Sequence, residues 1–282
     1  MRAVIIDFHT HIVSPKIKRE RDEYAVRDTC FRELYSQPKA RLFTAEELIQ
    51  SMDECGVDKS VILGFGLVGS EMCEEFNDYI LECVAHYPKR IIGFCAVQPA
   101  DTEAAVQEIE RCAKNGARGI GEIRPDIQGF DLRDVDLLRP LVEVMIDYNL
   151  ILLTHTSEPV GHEYFGKGSI TPEKIYPFIL AFPKLRIVLA HWGGGLPFYA
   201  LMPEVNEAIA NCYFDTAATP FLYKPQIFKH VVDIIGSERI LFGSDNPLLS
   251  PKRIVDQVES LNLRREDRER ILFRNAENLL GI

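Results

Sequence analysis

VIIDFHTHIV, residues 4–13, is an apolar run that gives way to Asp7, Phe8, His9, Thr10 and His11. A series of β-branched residues predicts a buried strand, and residues two apart on a strand share a face. His9 and His11 would therefore point the same way from its end. The chain has only seven histidines, and placing two of them on one strand face makes a metal-ligand pair worth testing. Read alone, the pair is equally a strand cap and a surface residue. The rest of the chain decides between these readings.

Seven more short β-branched runs follow the first, AVIIDF (3–8): SVILGF (60–65), RIIGFCAV (90–97), ARGIGEI (117–123), LILLTH (150–155), RIVLAH (186–191), CYFDT (212–216) and RILFGS (239–244). Helix-start signals fall between them. Thr44 and Glu47 have capping-box spacing, while Thr171-Pro172 and Ser250-Pro251 set a cap before a proline at the first helical position. Helices are expected near 44–55, 70–86, 101–114, 134–148, 171–181, 197–210, 225–235 and 251–260, with a closing amphipathic segment, EDRERILFRNAENLLGI. Eight strands alternating with helices, several of them apolar throughout, imply a parallel sheet covered on both sides. The expected fold is a (β/α)8 TIM barrel, a single domain over residues 1–282. An open doubly wound sheet is the other arrangement of such elements, but no G-x-G-x-x-G or Walker sequence follows the first strand. Residues 14–41 lack periodicity and are long for a loop after a strand, so a lid or short extra helices are expected there.

Hydrophobic residues fill 46% of the chain and charged ones 26%, the balance of a soluble protein with a sizeable core. A formal net charge of −10 disfavours nucleic acid or an anionic membrane as partner. No apolar run reaches the roughly 20 residues of a membrane span, and Met1-Arg2-Ala3 leads straight into the first strand without a signal-peptide core. A cytoplasmic location is expected. The seven cysteines are dispersed, without a C-x-x-C pair, and read as reduced core residues. A small-molecule substrate is the expected partner, with a homodimer allowed for.

The chemistry collects at strand ends. Glu122 closes the fourth strand in GIGEI, His155 the fifth in LLTH, His191 the sixth in VLAH, and Asp245 follows the eighth in LFGSD. In a (β/α)8 barrel these ends converge on the face that carries active sites. Any one of them could be a hydrogen-bonded strand end; together with His9 and His11 they read as a ligand set. Mixed nitrogen and oxygen donors select Zn2+, Mn2+ or Fe2+ over Ca2+, which prefers oxygen alone.

DFHTH, HWGGG, LFGSDNP and the closing ILFRNAENLLGI resemble the amidohydrolase superfamily over nearly the whole chain, from Asp7 to Leu280. Within it they look like the amidohydrolase-related (amidohydrolase 2) branch of metal-dependent hydrolases and zinc-dependent aromatic-acid decarboxylases. The resemblance implies a divalent metal, Zn2+ first with Mn2+ or Fe2+ as alternatives, bound by His9, His11, His155 and Asp245. His191 would stand near the reacting centre or on a second ion. Glu122 departs from the mononuclear pattern. No lysine occupies GIGEIRP, so Glu122 either bridges two ions or pairs with Arg124 or a neighbouring strand.

A bound divalent ion lowers the pKa of water to about 7 and polarises a carbonyl. Asp245 would take that water's proton and pass it to the leaving group, with His191 stabilising the developing oxyanion. Gly193-Gly194-Gly195 either lets backbone approach a ligand or makes a tight turn. Arg124 is expected to contact a substrate carboxylate. Trp192, Tyr164, Phe165 and His162 either wall a pocket for a ring-shaped substrate or pack, and Lys16, Lys18, Arg19 and Arg21 are expected on a solvated surface. The reading that follows is a metal-dependent hydrolase cleaving an ester, lactone or amide-type bond of a small carboxylate-bearing molecule. Its alternative is a zinc-dependent decarboxylase or hydratase of an aromatic or unsaturated acid, for which one ion suffices and Glu122 is dispensable.

Overall fold

Eight strands hydrogen-bond in chain order, each parallel to the next: β1 (Ile6–His11), β2 (Lys59–Leu63), β3 (Ile91–Cys95), β4 (Gly119–Ile123), β5 (Ile151–Thr154), β6 (Arg186–Leu189), β7 (Cys212–Asp215) and β8 (Ile240–Leu241). This computed structural model describes residues 4–282; Met1, Arg2 and Ala3, the last of them in the first predicted strand, lie outside them. The chain beyond β8 returns to β1. Phe8 N–H donates to the Phe242 carbonyl at 2.7 Å, His11 N–H to Asn246 at 2.8 Å and Asp245 N–H to His9 at 2.8 Å. Asp7 adds a side-chain tie, accepting the backbone N–H and the hydroxyl of Ser244. The fold is the expected (β/α)8 barrel.

Ile6, Phe8, Val61, Leu63, Phe94, Ile151, Leu153, Val188 and Leu241 fill the barrel interior, and Ala276, Leu279 and Leu280 of the closing segment join them. A bulge decides what stands above this layer. Three steps along β1, from Asp7 to Thr10, match two along β2, from Ser60 to Ile62. The extra residue lets Phe8 face inward below and His9 and His11 face inward above, where strict alternation would have turned the histidines out.

Helices form where caps and apolar spacing predict them, including Ala45–Cys55, Ser70–His86, Thr102–Lys114, Val135–Asp147 and Pro251–Ser260. Glu47 accepts the Thr44 N–H at 2.8 Å, as the capping-box spacing requires. The helix expected over 197–210 is broken. Leu196–Leu201 is a 3-10 turn and the chain restarts as Pro203–Ala208, with Pro203 at the first helical position, where proline is well tolerated. Residues 14–41 do form extra helices, Pro15–Arg19, Arg21–Arg27 and Thr29–Tyr35. Ile17, Tyr24 and Phe31 pack them onto Leu67, Met72 and Phe76. Their basic residues bind neighbours in the chain: Lys16 reaches Glu75, Lys18 reaches Glu47, and Arg21 reaches backbone carbonyls. Among the described residues no helix is long and apolar enough to cross a membrane, and all seven cysteines are free.

Candidate metal centre

His9 Nε2 and His11 Nε2 lie 3.2 Å apart at the inner end of β1. Glu122 Oε2, from the end of β4, is 3.8 and 3.7 Å from them, and Asp245 Oδ1, past β8, is 3.9 and 3.7 Å away. Donors held about 2.1 Å from one tetrahedral ion stand roughly 3.4 Å apart. His9, His11 and Glu122 therefore have the spacing of a ligand shell, with Asp245 Oδ1 beside the two imidazoles.

The tautomer of His9 fits as well. Its Nδ1 sits 2.8 Å from Asp215 Oδ2. A carboxylate only accepts, so Nδ1 carries the hydrogen and Nε2 offers its lone pair to the cluster. Asp215 is itself anchored by the N–H groups of His191 and Ala217 at 2.9 and 3.0 Å. Sequence reasoning misses this residue. The available signal was CYFDT, a seventh strand that also ends on a carboxylate.

His155 and His191 stand on the other oxygen of Glu122. His155 Nδ1 is 2.9 Å and His191 Nε2 3.6 Å from Oε1. Of the expected quartet, His9, His11 and Asp245 thus stand together, while His155 stands with Glu122 and His191 as a second group of donors that shares Glu122 with the first. Ser157, whose hydroxyl lies 3.1 Å from His155 Nε2, fixes that ring in its place. His191 is aimed by an unusual turn: residues 191–195 all have positive φ, from 55° to 87°. A side chain on Gly194 would strike the Ser157 carbonyl at 2.3 Å and one on Gly193 the Phe214 ring at 2.8 Å. The glycines therefore make a tight turn packed on neighbouring strands. His191 has no such freedom, and its left-handed backbone costs on the order of 1 kcal/mol to present the ring.

The charges of the cluster demand a cation. Burial pulls the His9 imidazole down, but Asp215, with Glu122 and Asp245 behind it, outweighs burial and pushes it up to about 10. Burial raises Glu122, yet hydrogen bonds from His155 and His191 hold it well below the usual carboxylate range. Burial lowers His11 and His155, and Glu122 raises His191 against its burial. Without metal, a proton on His9 partly balances these carboxylates. A divalent ion would take its place.

A cavity of about 540 Å³ opens above the cluster, with Tyr35, Tyr164, Phe165 and Phe221 along its sides and Arg124 on its wall. His162 also lines it. Trp192 does not, which corrects its expected role in substrate binding. It is fully buried, donates from Nε1 to Thr219 at 2.8 Å and packs edge-on against Phe228. The turn that brings His191 inward sends the next side chain into the helix layer.

A family model described as Amidohydrolase matches residues 6–282. Over its whole length the chain is 23% identical to the 2-amino-3-carboxymuconate-6-semialdehyde decarboxylase of Dictyostelium discoideum, covering 92% of that protein. It is 25% identical to the gamma-resorcylate decarboxylase of a Polaromonas species, over 83% of this chain and 86% of the relative. In the crystal structure of 5-carboxyvanillate decarboxylase from Novosphingobium aromaticivorans, complexed with manganese and 4-hydroxy-3-methoxy-5-nitrobenzoic acid, the fold recurs with a TM-score of 0.82 at 18% identity, over 99% of this chain and 96% of that one. These relatives overturn the hydrolase expectation, since both curated proteins carry the names of decarboxylases. Imidazoles and carboxylates at strand ends specify an ion and leave open which bond it helps to break.

Proposed function

Because this chain belongs to the amidohydrolase family, we propose that it is a metal-dependent, non-oxidative decarboxylase of a small aromatic or unsaturated carboxylic acid. The observation that carries this reading is the cluster of His9, His11, Glu122, His155, His191 and Asp245 beneath an aromatic-walled cavity, in a chain whose named relatives are decarboxylases. His9 and His11, with the other imidazoles and carboxylates of this cluster, would hold one divalent ion, Zn2+ or Mn2+, both of which suit a mixed nitrogen and oxygen set. When bound, such an ion draws electron density from a substrate oxygen.

The chain's own groups do the rest. Asp215 keeps His9 in the metal-binding tautomer, and Arg124 binds an acidic group of the substrate. His191, with Nδ1 committed to the Ala217 carbonyl at 3.2 Å, turns Nε2 toward the cavity floor and delivers the proton. Asp245 and Glu122 favour its charged form. As the carbon–carbon bond breaks, its electron pair stays on the substrate carbon and carbon dioxide leaves. The imidazolium proton takes the vacated position, and solvent at the mouth restores it.

The test is a panel of hydroxybenzoic acids with matched esters and lactones, offered to protein reloaded with Zn2+ or Mn2+. One carbon dioxide per acid consumed, with deuterium entering the vacated carbon in D2O, is the expected result. Ester or lactone cleavage without carbon dioxide from any acid would sink the proposal.

A further inference from the structure

Arg124 leaves β4 beside the metal-side cluster and lines the cavity, yet its guanidinium is poorly used. One Nη is 3.2 Å from Glu33 Oε1, the other 3.2 Å from Asp126 Oδ2, and Nε, screened from solvent, has no acceptor. Well-formed guanidinium–carboxylate pairs close to about 2.8 Å and often come two bonds at a time. Asp126 is anchored, since it also accepts the Ser169 N–H. Glu33 is not held this way; it rides on Thr29–Tyr35 of the covering segment with its side chain 34% exposed. Arg124 also faces the reacting space. A side chain on Gly168 would meet Arg124 Nη2 at 3.2 Å and the His155 ring at 3.1 Å, which puts both groups on one wall.

The reaction limits what Arg124 can hold. A carboxylate leaving as carbon dioxide loses its charge, so a guanidinium fork on it stabilises the ground state over the transition state and slows the step. An anion on Arg124 must be one that stays.

We infer that Arg124 forms a second anion subsite, filled by Glu33 in the free protein and by a non-reacting carboxylate or oxyanion of the substrate in the complex. The substrate is accordingly a diacid, or an acid with a second anionic substituent. The inference rests on the decarboxylase reading for which carboxylate reacts, and a binding measurement separates the two. The Zn2+-loaded protein is titrated calorimetrically with benzoate and with the three benzenedicarboxylates. At least one diacid should bind about tenfold more tightly than benzoate. Glu33→Gln, at a part-exposed helical position, should tighten that diacid about tenfold again while leaving benzoate within about twofold. Arg124→Gln should erase the preference. Equal binding of benzoate and every diacid, or an equal response of both classes to Glu33→Gln, overturns the subsite whatever Arg124→Gln does to folding. A diacid preference in a protein that releases no carbon dioxide would spare the subsite and reject the reaction; carbon dioxide from monoacids with no diacid preference would do the reverse.

Discussion

His9 has two ring nitrogens with separate tasks, and Asp215 decides which does what. With Nδ1–H committed to that carboxylate at 2.8 Å, Nε2 is left as a donor to metal. Asp215→Asn keeps the shape but loses the charge and the strict acceptor. Its metal affinity should fall about 10- to 100-fold in competition against a chromophoric chelator; an unchanged affinity would free Asp215 of this role. The proton on His9 gives a second prediction. In the metal-free protein its pKa is about 10, above the ordinary 6.5, so the charged ring stabilises the fold fully below the ordinary value and the contribution fades as pH climbs toward 10. Metal must displace that proton. Between pH 7 and 9 each ion bound should release about one proton, with affinity rising roughly tenfold per pH unit and levelling as pH passes about 10. Calorimetry in two buffers of different ionisation enthalpy counts the proton, and none released would mean that His9 is already neutral. The β1 pair is legible in sequence because its spacing is two and a strand repeats every two. Asp215 is not, because its partner is 206 positions away and nothing local marks the relation.

The covering helices hold to the barrel through Glu75 on the helix Ser70–His86. Lys16 meets that carboxylate at 2.9 Å, Arg27 at 3.3 Å, and the Tyr24 hydroxyl donates to it. Glu75→Ala strands a largely buried tyrosine hydroxyl, at a cost of about 1 kcal/mol, and the loss falls on one segment. Trypsin should then cut between Lys16 and Arg27 several-fold faster while bound metal is unchanged. Equal cutting rates would show that Glu75 does not hold the segment, which then rests on its apolar residues and on the Lys18 and Arg21 contacts. Caps and apolar spacing make the long barrel helices legible, and Ser70–His86 has the limits expected of it. The three covering helices are five to seven residues long, too short for a 3.6-residue period to emerge. Their shape comes from tertiary contacts with Phe76 and Leu67. The β1 bulge is hidden for the same reason, since it exists only as a mismatch with β2.

At the scale of the molecule, the barrel brings residues as distant as His9 and Asp245 within 3.9 Å of each other, while its stability comes from elsewhere. The layer beneath the donors, from Ile6 and Phe8 to Val188 and Leu241, is apolar and fully enclosed, and Leu279 and Leu280 join it from the closing segment. Strand number and order could be read from alternating apolar runs because each run carries its own signal. The reaction could not, because hydrolysis and decarboxylation can draw on the same imidazoles and carboxylates. This separation of core from donors makes the fold independent of the ion, and that is open to test. Stripping metal with a chelator should leave the far-ultraviolet circular dichroism and a single cooperative melt in place. Restoring Zn2+ or Mn2+ at a thousandfold excess over its dissociation constant adds about 4 kcal/mol by mass action. For a chain of this length that is a rise of roughly 8 °C in Tm. The double variant His9→Ala, His11→Ala should melt cooperatively and show no such rise. A chelated protein that melts without cooperativity would make the ion part of the core after all. A rise that survives in the double variant would place the ion away from β1, because a site that has lost both β1 imidazoles cannot hold a metal tightly enough to move the melt.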